Sequence, residues 1–471
     1  MKKTFIIFLC MAAGLLSCTN DDNNMEEPMP AGVPMTFNIS VDEEATTRAA
    51  KTSWASGDQI YVLFNGLETK YLVLTYDGTA WTNTSGGGTL LDTDFSGLGT
   101  KTLTAVHFPV AVDVAFADSK FSFTSGGKPV YNFYLFEAGK AYTVEGTTVT
   151  ASLSMGKPAN MVQIHVAGIQ GSVGDYTFGC SKIKPVACAS VGTDGAITES
   201  VLQAGARLSG MADVDGGFFA GRLVYPGTAQ DYTFTLACDS KIYTLTRTDR
   251  ILTAGKMYNF PALSETGGAN WAVQNASDLY VDLGLPSGTK WAKYNVGATT
   301  ETGKGDYFAY GEIQPKSNYD WITYLYGTGS SSVTKYTASG YTVLQPEDDV
   351  AYSTLGGKFR MPTNAELDEL KNTSNCNWTW QSNYNGSGIS GYLVTSKISG
   401  YTSNSIFLPA TGWMDGTTLK NTSNGSYRSS SLDTSYPYSA HYLIFKPDAV
   451  AWDNVGRFRD DGLSVRPVYA E

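Results

Sequence analysis

Short runs of alternating apolar and polar residues, each closed by a turn signal, fill this chain from residue 54 to about residue 263. QIYVLF (59–64), YLVLTY (71–76), AWTN (80–83), KFSFTS (120–125), MVQIHVAG (161–168), YTFTLAC (232–238) and KIYTLTRT (241–248) fit the period of two of a β-strand. Asp77-Gly78, SGGG (85–88) and SGG (125–127) punctuate them. Successive side chains of a strand point to opposite faces, so such runs bury their apolar stripes only by stacking in layers. Helical periodicity is almost absent. The expectation is a mainly β region of two Greek-key sandwiches, spanning 35–155 and 156–263, with the seam near 154–158 and AGKMYNF (254–260) closing the second.

The chain has 471 residues, enough for two or three domains. Aromatic residues make up 13%, including 29 tyrosines, against only 16% charged residues, a balance typical of β-rich extracellular proteins. The net charge of -11 argues against nucleic acid and against anionic lipid headgroups as partners.

The first eighteen residues bound the location. Lys2 and Lys3 precede an apolar run from Phe5 to Leu16, too short for a stable membrane span, and the segment ends Leu15-Leu16-Ser17-Cys18. This is a bacterial secretory signal of lipoprotein type, with Cys18 as the lipidated residue and a surface or outer-membrane destination. Residues 19–34, acidic and proline-containing, read as a flexible tether. Of six cysteines, Cys10 lies in the signal and Cys18 carries the lipid. Cys180, Cys188, Cys238 and Cys376 match no zinc spacing, and either a Cys180–Cys188 bridge or buried free thiols would suit them.

SETGGAN (264–270) begins a linker, taken to residue 278, and the texture then changes. Aromatic-anchored loops dominate, and GGKFRMPTNAELDELKN (356–372) holds one clear helix signal: Thr363 or Asn364 as N-cap, Glu366 in the first turn, Leu367 and Leu370 as the apolar face. Strands return in SIFLPATGW (405–413), SAHYLIFK (439–446) and GLSVRPVYAE (462–471).

Two family resemblances follow from these motifs. The signal ending at Cys18, the strand MTFNISV (35–41), the arginine in ATTRAA (45–50), WASGDQIYVLF (54–64) and LTAGKMYNF (252–260) make residues 35–263 resemble the fimbrillin family of pilins. VDLGLPSGTKWAKYNVGA (281–298), GDYFAYGE (305–312), GGKFRMPTNAELDEL (356–370), IFLPATG (406–412), GSYRSSS (425–431) and GLSVRPV (462–468) make residues 279–471 resemble the Fibrobacter-type paralogous domain. The second resemblance implies an α+β, C-type-lectin-like fold; the first implies transthyretin-like pilin sandwiches. One departure is Arg428, which stands where that paralogous family usually has a tryptophan.

The fimbrillin resemblance implies processing after an arginine in the loop behind the first strand, here between Arg48 and Ala49. Strand 35–41 then leaves, and another pilin subunit donates a strand to the vacated groove. Such addition satisfies exposed backbone groups and fills alternate apolar pockets at once. The ending VRPVYAE (465–471) looks like a closing strand of its own domain, so the expectation is a subunit that accepts but does not donate, at the tip of a fimbrium.

His107, His165 and His441 lie in separate segments, and no catalytic set is visible, so no enzyme is expected. Gln345-Pro346-Glu347-Asp348-Asp349 and Trp452-Asp453-Asn454 carry calcium-binding residue types, but they lie far apart and the Asp453-Asn454 order is reversed. No cofactor is expected, with calcium the one ion these types could hold. Sugar binding without metal needs exposed aromatic rings beside carboxylates and amides. Trp378, Trp380 and Tyr384, Trp321 within an aromatic cluster, and Trp413 with Asp415 are the candidates for host or bacterial glycans or proteins. The leading expectation is an adhesive pilus subunit, and the rival is a surface lipoprotein that binds glycans without polymerising.

Overall fold

The computed structural model describes residues 32–470, apart from 43–53, 109–110, 126–127, 130–133, 155–160, 193, 210, 214–215, 225–226, 254–256, 265–269 and 448–455. The described chain is mainly strand. Among the described residues, no helix is long and apolar enough to cross a membrane.

Five antiparallel strands form the first large sheet, in the order Trp81–Ser85, Leu72–Tyr76, Gln59–Phe64, Thr102–His107 and Tyr134–Ala141. A three-stranded sheet packs on it: β1 (Thr36–Asp42) at one edge, then Thr148–Ser154, then Thr143–Glu145. QIYVLF is apolar on both faces because both are covered. Ile60, Val62 and Phe64 join Phe37, Ile39, Val149 and Leu153 in one core, while Tyr61 and Leu63 join Phe121, Phe123, Cys188 and Val191 in another.

That second core crosses the expected seam. The hairpin Asp113–Ala117/Lys120–Ser125 pairs onward with Lys184–Gly192, Phe121 opposite Val191 and Lys120 opposite Gly192. One sheet therefore runs Met257–Phe260, Met161–Val166, Gly216–Val224, Lys184–Gly192, Lys120–Ser125, Asp113–Ala117, and spans both expected sandwiches. Alternation identifies the apolar stripe of KFSFTS, Phe121 and Phe123, but not the strand beside which that stripe is buried.

The facing sheet of the second region runs Leu208–Ser209, Thr177–Cys180, Gln230–Ala237, Lys241–Arg250, Ala272–Asn275. Its last strand lies inside the expected 264–278 linker and corrects it. Ala272–Asn275 pairs antiparallel with Lys241–Arg250, and Trp271, 3% exposed, joins a third core with Phe178, Phe234 and Leu245, its Nε1–H donated to the Pro261 carbonyl at 2.8 Å. An indole beside a free strand edge is worth burying, so the chain stays on the sandwich for another strand before leaving it.

The C-terminal region is closed by its own ends. Tyr280–Val281, Lys290–Ala292, Val468–Tyr469 and Phe359–Arg360 form one sheet, with Val468–Tyr469 paired on both edges. Two three-stranded sheets follow, Cys376–Gln381/Gly391–Ser396/Ser405–Pro409 and Gly425–Leu432/Ser439–Phe445/Arg457–Phe458. The expected helix is Asn364–Lys371. Thr363 caps it by accepting from the Glu366 N–H at 3.3 Å, Glu366 returns the bond by accepting from the Thr363 N–H at 2.8 Å, and Leu367 and Leu370 are buried. Two further helices, Asp92–Ser96 and Val350–Leu355, are too short for a periodic signal.

Much of this region is loop, and buried arginines hold the loops together. Arg466 donates to Asn295 Oδ1 at 2.7 Å and to the carbonyls of Ala292, Lys293 and Phe407 at 3.0, 3.0 and 2.9 Å. Arg459 donates to the Tyr324 hydroxyl and to the carbonyls of Lys335, Tyr336 and Pro437. Arg428, 0% exposed, donates to the carbonyls of Phe458 and Asp461 at 2.9 and 2.7 Å. A guanidinium offers five donors in a fixed plane, which suits backbone carbonyls that no strand ladder satisfies. Cys180, Cys188, Cys238 and Cys376 form no disulfide, and burial pushes the Cys180 and Cys376 thiols up to about 11.

Candidate functional site

The first candidate is the groove under β1. Phe37 and Ile39 point into the first core, each 8% exposed, and Met35 and Val41 pack partly against it. Asn38 and Ser40, on the alternate face, are exposed. β1 runs parallel to Thr148–Ser154 through seven register pairs, and on its other side the Asn83 side-chain amide donates to the Phe37 carbonyl. Parallel ladders are slightly weaker per residue than antiparallel ones. Burial of the two side chains contributes about 1.5–3 kcal/mol each. An edge strand held this way leaves, on removal, a row of backbone groups along Thr148–Ser154 and two deep apolar pockets. Cys18, Arg48 and Ala49 lie outside the described residues, as do Trp452-Asp453-Asn454.

The aromatic candidates of the C-terminal region separate into different settings. In Cys376–Gln381 the period of two puts Cys376, Trp378 and Trp380 on one face, toward the core. Trp378 donates its Nε1–H to the Leu370 carbonyl at 3.1 Å and lies 5.6 Å from the Tyr392 ring; Trp380 lies 5.2 Å from the same ring. Both are half-buried strand residues with packing partners on the core side. Tyr384 is stacked on Phe407 at 3.9 Å, and its hydroxyl donates to Glu301 Oε2 at 3.1 Å, so one ring face is already covered.

Trp321 packs edge-on against Tyr324 at 5.5 Å, in a cluster that also holds Tyr319 and Met414. The hairpin Trp413–Asp415/Thr418–Lys420 sits beside it through a bridge from Tyr319 to Gly416. Trp413 carries the Arg457 guanidinium 4.3 Å from its ring centre, and Asp415 is exposed. The structure thus brings Trp321, Trp413 and Asp415 to one neighbourhood and leaves Trp378 and Trp380 in another core.

The acidic loop at 345–349 is engaged by protein donors. Asp348, 2% exposed, accepts from Gln203 Nε2 at 2.9 Å, the Tyr326 hydroxyl at 2.5 Å, Lys335 Nζ at 2.5 Å and the Tyr336 hydroxyl at 2.6 Å. Asp349 caps helix Val350–Leu355 by accepting from the N–H groups of Ala351 and Tyr352 at 2.9 and 3.0 Å. Burial raises the Asp349 carboxyl to about 6 against these bonds. Among the described residues no group of three or more metal-ligating side chains converges. Sequence reasoning missed this set because Gln203, Tyr326 and the adjacent Lys335 and Tyr336 meet Asp348 from three separate segments.

No family model matches the chain, and no curated protein is similar to it, so the two resemblances rest on the quoted motifs. Solved structures give slight likenesses. A fimbrial protein of Bacteroides ovatus shows 10% identity and a TM-score of 0.23 over 94% of this chain and 100% of that one. The fimbrial anchor protein Mfa2 of Porphyromonas gingivalis shows 11% identity and a TM-score of 0.23 over 51% of this chain and 95% of that one. Likeness this slight carries no argument about function.

Proposed function

We propose that this chain is a non-enzymatic adhesive subunit of a fimbrium on a bacterial surface. It is exported as a lipoprotein on Cys18, cut between Arg48 and Ala49, and assembled by exchange of β1 for a strand of another subunit. The C-terminal, lectin-like region is the part presented to host or bacterial glycans or proteins. The observation that carries the reading is β1 itself: an edge strand seated parallel on Thr148–Ser154, with Phe37 and Ile39 in deep pockets and the proposed cut just behind it. A replacing strand must bring apolar side chains at alternate positions, as strand addition requires. Val468–Tyr469, paired on both edges, is not itself available for donation.

The test is the N-terminus of the protein taken from its native cell surface, read by mass spectrometry. The expected start is Ala49. A diacylated Cys18 on all molecules refutes strand exchange and leaves the non-polymerising surface lipoprotein.

A further inference from the structure

We infer that the cleft between the second sandwich and the C-terminal region is a binding site for a neutral sugar unit. The inference deepens the adhesive reading and rests on it for the class of ligand. The cleft encloses ≈ 300 Å³, with Val201 and Gln203 on one wall and Leu325, Lys335, Tyr341 and Glu347 on the other. That is the lower end of the size range of small-ligand sites, and junctions between domains are where such sites concentrate.

Apolar surface meets water here to an unusual degree. Val201, Leu325 and Tyr341 are 52%, 54% and 47% exposed, among the large apolar side chains that the fold leaves most open, and all three line this one cleft. A sugar ring has apolar C–H faces and a rim of hydroxyls, so a half-exposed phenol ring and aliphatic side chains suit the first. Charged groups with spare hydrogen-bonding capacity suit the second.

That capacity is present. Asp348 is saturated by its four donors, so its role is to hold Gln203, Tyr326 and Lys335 in place. Lys335 gives one of its three N–H donors to Asp348 at 2.5 Å and stands 5.4 Å from the Tyr326 ring centre. Glu347 stands 3.7 Å from Lys335, an ion-pair distance too long for a hydrogen bond, which leaves its oxygens able to accept from hydroxyls. One lysine faces two carboxylates, so the cleft carries an excess negative charge. Sialylated or sulfated ligands are disfavoured and neutral ones preferred.

The walls are fixed to one another. Gln203 donates to the Gly311 carbonyl at 2.6 Å and accepts from the Ile313 N–H at 2.9 Å. Gln314 donates to the Ala204 carbonyl at 2.8 Å, and Ser353 to the Gly205 carbonyl at 2.7 Å. A cleft set by these bonds needs no closure to bind. It also belongs to neither region alone, so the full chain is the protein to test.

The experiment exposes the full chain to an array of neutral and anionic glycans, then titrates it calorimetrically with the methyl glycoside of the preferred terminal sugar. The expected result is binding to neutral glycans, weakened at least tenfold by Tyr341→Ala and by Glu347→Gln. Glu68→Gln, exposed on the first sandwich and outside the cleft, should leave the affinity unchanged. Both cleft substitutions are near the surface, and unchanged melting curves check that they fold. Three results overturn the inference: preference for anionic glycans, neutral-glycan binding that survives both cleft substitutions or is lost in Glu68→Gln, and no glycan binding at all. The N-terminal measurement is independent of all three, so the cleft can fail while subunit exchange stands, and the reverse.

Discussion

Replacing Phe37 by alanine tests whether β1 is held chiefly by its two inward side chains. Phe37 is 8% exposed, with its ring 5.9 Å from Phe64 and 6.2 Å from Phe95. A buried Phe→Ala change costs about 3–5 kcal/mol through lost transfer energy and the cavity left behind. An edge strand can relax toward the gap, so the low end, about 3 kcal/mol, is expected. At 1.4 kcal/mol per decade, that is roughly two decades in the opening equilibrium of the first sandwich. A chain of several units does not melt as one transition, so hydrogen exchange by mass spectrometry is the assay. Amides of Gln59–Phe64 and Thr148–Ser154 should lose about two decades of protection, and those of Gly391–Ser396 should not change. Asn38→Ala, on the exposed face of the same strand, is the control and should shift protection by less than ~0.5 kcal/mol. A loss under ~1 kcal/mol for Phe37→Ala, or equal losses for the two variants, would refute the picture of a strand seated by alternate pockets.

Two further predictions concern the C-terminal region. Burial alone would raise the Glu366 carboxyl, but Arg360 at 2.5 and 2.7 Å, the Thr363 N–H and the Thr289 hydroxyl outweigh it and pull it to about 2 from 4.5. A depressed folded value means stability that is complete above about pH 4.5 and lost as pH falls toward 2, about 3 kcal/mol in all. Chemical denaturation across that window should show it, and Glu366→Gln should flatten the profile; an unchanged slope in the variant refutes the assignment. Arg428→Met should cost about 3–5 kcal/mol, because the carbonyls of Phe458 and Asp461 lose a fully buried donor. Thermal unfolding with exchange at Ser439–Phe445 reads it, and a loss under ~1 kcal/mol would show that water replaces the guanidinium.

The sequence by itself determined the local elements, because their causes are local. Alternation in KFSFTS and YTFTLAC, and the short apolar run of QIYVLF, make strands wherever the partners lie, and all three are strands. Thr363 and Glu366 cap their helix through a reciprocal bond three residues long, legible without any fold. Only the tertiary structure decided which strands are neighbours. Nothing in Phe121 and Phe123 says that Val191 covers them, so one sheet runs through a seam that the strand pattern placed at 154–158. The linker reading failed at Ala272–Asn275 for a related reason: a four-residue strand is specified by the free edge of Lys241–Arg250, not by its own pattern. Function followed the same division. Tryptophans could be found in the sequence, but which faces of Trp378 and Trp380 are spent on the core depends on Tyr392 and Phe445. The cleft of Val201, Lys335, Tyr341 and Glu347 was illegible because its walls are more than a hundred residues apart in the chain and meet only where two units dock. Pattern is a property of a segment, whereas burial, pairing and enclosure are properties of what comes to lie against it.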